Sequence, residues 1–315
     1  MLLNSKTSKK GLVNEKEWLG SSLLGSHQSG KRIMDKISAG YFRVCGWAAI
    51  LILLTIIVFV FYKGLSPFIS DGYSFVSFIT GSEWVPSSGK YGILPMILAS
   101  IYGTAGALLV GVPVGIMTAV FITEIAPAKI SNIMISAVEL LAGIPSVLFG
   151  IFALGLIVPG IQNTFQLPKG QSLLAVILVL AMMMLPTVIS VSVTSIKAVP
   201  QSFKEASLAL GATKIETIFK LTLPACKSGI LTAVGLGMGR AVGETMAVIL
   251  VAGNSPVVPG SITDSVRPLT TNIAIEMGYA FGIHERMLFA TGVVLFTFIL
   301  ILNLGLSRIS KKVKN

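Results

Sequence analysis

Residues Gly229–Asn254 read GILTAVGLGMGRAVGETMAVILVAGN, and this stretch decides the fold. A helix that crosses a bilayer needs roughly 20 mostly apolar residues, and the stretch is long enough. Arg240 and Glu244 lie near its middle. An ionisable side chain there costs about 2.5 kcal/mol or more, so it turns toward a bundle interior or an aqueous cavity. Read as one continuous helix, the i,i+4 spacing sets Arg240 and Glu244 side by side on one face, where each neutralises the other. Gly235, Gly239 and Gly243 make a doubled G-x-x-x-G ridge that lets another helix come close. The stretch reads as a packed, polar-cored helix lining a passage through a membrane. Two roles stay open for the charged pair. It is either an ion pair that orients the helix, or an anion site or gate in which Arg240 touches substrate and Glu244 stands in when the site is empty.

The rest of the composition agrees. Of 315 residues, 53% are hydrophobic and only 12% charged, against about 25% charged in soluble domains. The mean hydropathy is +0.85. This is a polytopic membrane protein. The net charge of +11 is no nucleic-acid footprint, because the basic residues cluster beside apolar runs, as orientation signals do. Cys45 falls at the start of the first span and Cys226 in a cytoplasmic loop of the expected topology, and no disulfide is expected from them. No cleaved signal peptide is expected, since the polar N-terminal stretch is long and lacks a small-residue cleavage pattern.

Residues 1–40 form a polar, flexible extension with an amphipathic piece near Lys31–Ser38. Gly25–Arg32 imitates G-x-x-x-x-G-K but ends in Arg where a phosphate loop needs Ser or Thr, and no strand precedes it. Any ATP chemistry belongs to another chain. Residues 41–310 make the membrane domain and 311–315 a basic tail. Its spans are expected at about 44–62, 93–122, 131–158, 172–195, 229–254 and 287–306. The second is rich in Gly103, Gly106, Gly111 and Gly115 and should pack closely. The third carries a Gly143-Ile144-Pro145 break, whose proline frees a carbonyl, and Glu139, whose carboxylate is either interfacial or part of a transport route. Met182-Met183-Met184 in the fourth reads as lipid-facing or packing surface. Lys and Arg crowd the N-terminal region and the loop after span four, while the opposite loops hold few. The positive-inside rule then places both termini in the cytoplasm.

That basic loop, 197–228, reads KAVPQSFKEASLALGATKIETIFKLTLPACKS. Ser202-x-x-Glu205 and Thr213-x-x-Glu216 are two capping-box sequences. They predict one helix from Phe203 to Gly211, whose glycine suits the left-handed position after a helix, and a second ending before Pro224. Phe203, Ala206, Leu210, Ile215, Ile218 and Phe219 supply apolar surface. The loop is either a docking knob or a plain connection between spans.

Glu205-Ala206-Ser207, Gly211 and Leu221-x-Leu223-Pro224 resemble the EAA loop (E-A-A-x3-G-x9-I-x-L-P) of ABC importer permeases, with mild departures at Ser207 and Leu221. Gly239-Arg240-Ala241-Val242-Gly243-Glu244-Thr245-Met246-Ala247-Val248, with Gly253-Asn254, is similar to phosphate importer permeases of the PstC type. So are Tyr102-Gly103-Thr104, Thr123-Glu124-x-Ala126-Pro127 and Glu139-Leu140-Leu141-Ala142-x-Ile144-Pro145-Ser146. The resemblance covers roughly residues 40–310. It implies an all-α integral membrane protein with the type I ABC importer permease fold, six transmembrane helices and a cytoplasmic coupling helix. It implies a multi-pass permease of a bacterial or archaeal cell membrane, without its own nucleotide site. Its implied partners are a PstA-like permease, a cytoplasmic ATPase dimer that binds ATP and magnesium, and an extracytoplasmic phosphate-binding protein. On the same footing Glu205, Ala206, Gly211, Leu223 and Pro224 belong to ATPase coupling. Arg240, Glu244 and Thr245 belong to the substrate pathway, and Gly235, Gly239 and Gly243 to helix packing.

A permease for another oxyanion such as sulfate or molybdate would share the EAA loop and differ around Arg240–Glu244. A channel or ion-coupled transporter would lack the docking loop. An enzyme is disfavoured, because His27 and His284 fall on opposite sides of the expected topology and no metal spacing or nucleophile motif occurs.

Overall fold

The computed structural model describes the backbone from Lys6 to Lys314 and the side chains of residues 37–308. The expected extension over 1–40, its Gly25–Arg32 run, the piece near Lys31–Ser38 and the tail 311–315 lie wholly or mostly outside the described side chains. The chain divides into two units after Phe59. In the first, helix α1 (Lys6–Ile69, which continues past the division) exposes Trp47, Leu51, Leu53 and Val58 around its circumference. A helix apolar on every side and uncovered by protein is a lipid-facing surface.

In the second unit the last turns of α1 lead to the short helix α2 (Phe75–Thr80), capped by the Ser74 side chain. An antiparallel hairpin follows, β1 (Trp84–Val85) and β2 (Lys90–Tyr91), closed by a 3-10 turn. Helix α3 (Leu94–Val120) runs through Pro113 and finishes in a π turn over Phe121–Ile125, ahead of Pro127.

The third span is interrupted at Gly143-Ile144-Pro145, where the sequence predicts a break. It is built as α4 (Ala128–Gly143), α5 (Ser146–Gly155) and α6 (Ile157–Phe165). A residue before proline is pushed out of the helical region, and Ile144 is accordingly extended at ψ 128°. The apolar run long enough to cross a membrane is Ser146–Phe165, displaced along the chain from the expected 131–158. The fourth span matches α7 (Leu173–Lys197), which Ser172 caps by accepting from Ala175 N.

Next come α8 (Gln201–Ala209), α9 (Lys214–Thr217), a π turn over Ile218–Thr222 and the single turn α10 (Leu223–Ala225). The expected fifth span is also broken, into α11 (Lys227–Gly243) and α12 (Met246–Val251). With 17 residues, α11 rises about 25 Å, short of the roughly 30 Å hydrocarbon layer. Residues 255–282 contain α13 (Leu269–Glu276), and α14 (Ile283–Lys314) carries the last span. Among the described residues five helices are long and apolar enough to cross a membrane, or six if Lys214–Ala225 and Lys227–Gly243, bent by 71°, count as one span.

The centre of this unit is the packing of α3 on α7. A Cβ on Gly106 would lie 2.5 Å from Ile177 Cδ1, and one on Gly111 would lie 2.8 Å from Met184 Sδ. The small-residue stripe is therefore what lets the helices approach, the arrangement that replaces hydrophobic drive between helices in lipid. Met183 and Met184 are buried in this core with Val176, Val188 and Val248. Two smaller cores flank it. One gathers Trp84, Met96, Leu269 and Leu288 at the hairpin end, the other Ile122, Ile196, Ile218 and Cys226 at the end carrying the 197–228 loop.

Candidate functional site

The helix break falls at Glu244. Gly243 ends α11, and Glu244 takes extended backbone at φ −70°, ψ 131°. The Arg240–Glu244 pair expected on one helix face is therefore not formed, and no ion pair joins the two among the described residues. The i,i+4 geometry needs an unbroken helix, and the break sets the two charges in different surroundings. Arg240 sits in the last turn of α11, where the carbonyl ends of the helix favour a cation. Glu244 Oε1 accepts from Ala247 N at 3.2 Å, in the first turn of α12. Thr245 directs its hydroxyl to the Gly243 carbonyl at 3.3 Å. The Arg240, Glu244 and Thr245 side chains are all half-buried.

Beside the break a crevice of about 10 Å³ lies among Ser100, Gly103, Thr104, Glu244, Pro268 and Thr270, room for no more than one water. The expected glycine ridge is not used within the chain. A Cβ on Gly239 or Gly243 would meet nothing within 4 Å, and one on Gly235 only Leu306 Cδ1 at 3.5 Å. Close approach falls instead at Gly237, against Val188 and Met184, and at Gly229, against Ser195. Leu236 and Met246 are exposed along with Gly243, so this side of the break is open in the isolated chain.

The 197–228 loop folds as helix–glycine–helix. The first capping box does not form. Pro200 occupies the N-cap of α8 and the helix starts at Gln201, two residues earlier than expected. The glycine stop holds, with Gly211 at φ +89°. The second box forms in full, with Glu216 N donating to Thr213 Oγ1 and Thr213 N to Glu216 Oε2. Lys220 at 2.9 Å, then the Thr213 bonds, hold the Glu216 carboxyl at about 2 instead of 4.5. The second helix does not stop before Pro224. Its π turn carries it on to Ala225, because Pro224 falls in the first turn of α10, where a missing N–H costs nothing.

Glu205 and Ala206 are exposed, as are Phe203, Ile215, Phe219 and, at 89%, Leu210. Ile218, expected on the same surface, is buried in the chain's own core. Gly211 and Pro224 are exposed and Leu223 half-buried. Two contacts that sequence reasoning missed fix the loop. Lys204 Nζ pairs with Glu124 Oε1 at 2.5 Å, tying α8 to the end of α3. The Ser207 and Thr217 hydroxyls meet at 2.9 Å and clamp α8 to α9, so the departure from the usual alanine has a structural use.

A third constellation was missed altogether. Glu276, 5% exposed, closes α13. Its Oε1 accepts from Arg267 Nη1 at 2.6 Å; Oε2 accepts from Trp84 Nε1 at 2.8 Å and lies 2.8 Å from His284 Nε2. A buried carboxylate is tolerated when paired and bonded in this way. Trp84 stacks edge-on with Tyr91 at 5.5 Å. Burial first, then Tyr73 and Glu276 nearby, pushes the Tyr91 phenol up. Trp84 stands 192 residues away along the chain, and Arg267 and His284 lie 9 and 8 residues from Glu276, beyond the ends of α13, so no local pattern announces them.

Comparison with known proteins follows the same outline. A family model described as binding-protein-dependent transport system inner membrane component matches residues 111–315. The chain is 39% identical over 309 residues to the probable ABC transporter permease protein YqgH of Bacillus subtilis (strain 168), covering 94% of this chain and 99% of that one. It is 35% identical over 240 residues to the phosphate transport system permease protein PstC of Mesorhizobium japonicum, covering 70% and 73%. With PstC of Xylella fastidiosa (strain 9a5c) the figures are 36% over 263 residues, 76% and 81%. Among solved structures, a bacterial ABC transporter that imports the acidic polysaccharide alginate aligns with TM-score 0.59 at 16% identity, covering 85% and 96%. The inward-facing MetNI methionine ABC transporter aligns with TM-score 0.54 at 19% identity, covering 70% and 94%. At these identities the likeness is one of fold.

Proposed function

Because the chain belongs to the binding-protein-dependent transport system inner membrane component family, we propose that it is the membrane permease of an ATP-driven importer of inorganic phosphate. The observation that carries the substrate is the identity of 35–36% to permeases named for phosphate transport, together with an arginine beside the helix break. A guanidinium offers paired N–H donors to a tetrahedral oxyanion. One arginine without a deep cage of further donors also releases what it holds.

The isolated chain encloses only a small crevice at the break, and the side bearing Gly239 and Gly243 is open. A second permease, PstA-like, packed against that glycine ridge would complete the passage around Arg240, Glu244 and Thr245. The 197–228 loop, with Glu205, Ala206, Gly211, Leu223 and Pro224, would seat on a separate ATPase dimer that binds ATP and magnesium. An extracytoplasmic phosphate-binding protein would deliver the solute at the hairpin end. The basic residues of the N-terminal region and the loop put both termini and the coupling loop in the cytoplasm.

Reconstituted with these partners in proteoliposomes, the protein should take up radiolabelled phosphate only with ATP, undiminished by excess sulfate or molybdate. Competition by either would move the substrate to another oxyanion. Uptake without ATP would favour a channel or secondary transporter.

A further inference from the structure

Helix α12 is gripped at both ends by one strap, residues 266–272. At its start the Thr270 hydroxyl donates to the Glu244 carbonyl at 3.1 Å, while Leu269 N donates to Ser100 Oγ on α3 at 3.0 Å. At its end Val266 N donates to Ala252 O, Asn254 N to Val266 O, and Arg267 Nε to Asn254 O at 2.7 Å. Asn254 there holds φ +60°, a left-handed conformation that such surrounding bonds must maintain. The strap is tied in turn by Glu276. One carboxylate oxygen takes Arg267; the other takes Trp84 of the hairpin and His284 of α14.

Two buried polar atoms lie here, one on the strap and one at the end of α12 that it holds. Asn272 Nδ2 and Asn254 Oδ1 are buried without a hydrogen-bond partner. Natural interiors rarely keep such groups. Packed networks of this kind move between discrete arrangements instead of deforming smoothly.

We infer that Glu276 is a positioning residue for the α11–α12 break. It ties the hairpin to the strap, so that a displacement of the hairpin by a docked protein reaches Glu244 through Arg267 and Thr270. The inference rests on the proposed function only in placing the break on the substrate passage.

The test uses the full chain in membranes with its partner subunits, carrying Cys45→Ser, Cys226→Ala and the reporter Thr245→Cys. Loss of one charge-assisted hydrogen bond shifts a local equilibrium about tenfold. Glu276→Gln should therefore raise maleimide labelling at position 245 by about tenfold, and a reporter at Ser190→Cys, near the other end of α7, should not respond. Thr270→Val, which cuts the strap directly at Glu244, should reproduce the effect and decides the matter if Glu276→Gln does not assemble. Unchanged labelling at 245, or an equal rise at both reporters, would overturn the inference and leave Glu276 a plain fold contact. Labelling needs no solute, so a complex that transports sulfate would sink the substrate assignment without affecting this result.

Discussion

Lys204 and Glu124 meet with side chains only 14% and 11% exposed, so each is costly without the other. Glu124→Gln should lower stability by about 3 kcal/mol by stranding a desolvated ammonium. Glu124→Leu with Lys204→Met should recover most of it; thermal unfolding of the detergent-solubilised protein reads both, and equal losses in the single and double variants would contradict the pairing. Ser207→Ala, which removes one hydroxyl–hydroxyl bond, should cost about 1 kcal/mol in the same assay. Sequence patterns made Arg240, Glu244 and Glu205 stand out because each breaks a rule of its surroundings, a charge in an apolar run or an acid in a capping spacing. Glu124, Lys204 and Glu276 break no local rule. Their partners arrive only through folding.

At the scale of elements, the 197–228 loop shows which signals are local. Gly211 at φ +89° and the Thr213–Glu216 box depend on a few adjacent residues and were readable. The Ser202 box was out-competed by Pro200, whose fixed φ begins the helix earlier. The breaks at Ile144 and Glu244 were readable only as a proline and a glycine ridge, since hydropathy is indifferent to a two-residue interruption.

Gly211→Ala should cost about 1–2 kcal/mol and speed amide exchange in α8 and α9; unchanged exchange would mean the glycine is dispensable. Glu216 gives a pH dependence. Its folded carboxyl is held at about 2 against 4.5, so the cap is fully present above pH 4.5 and is lost as pH falls toward 2. Protection of the Thr213 and Glu216 amides should follow that window. Lys220→Ala, which removes the largest cause, should move the loss to higher pH; no movement would exclude Lys220 as the cause. Glu205→Arg should leave the permease in the membrane and separate ATP hydrolysis from uptake, and intact coupling would count against the docking role of the loop.

At the scale of the molecule, composition and six apolar runs were enough to read a helical polytopic membrane protein, because lipid leaves helices or closed barrels as the only spanning structures. What they could not convey is which surfaces the folded chain leaves uncovered. Its break faces an open side, Gly239 and Gly243 of its glycine ridge meet nothing within 4 Å among the described residues, and its loop presents bare apolar side chains. Those are the surfaces on which the proposed partners would sit.

The most direct measurement is ATP-dependent uptake of radiolabelled phosphate by the reconstituted complex, wild type against Arg240→Gln, with assembly and basal ATP hydrolysis followed in parallel. Loss of uptake in a variant that still assembles and hydrolyses ATP is the predicted result and makes Arg240 the anion's contact. Undiminished uptake would contradict it, reducing Arg240 to a helix-end charge and placing the passage elsewhere.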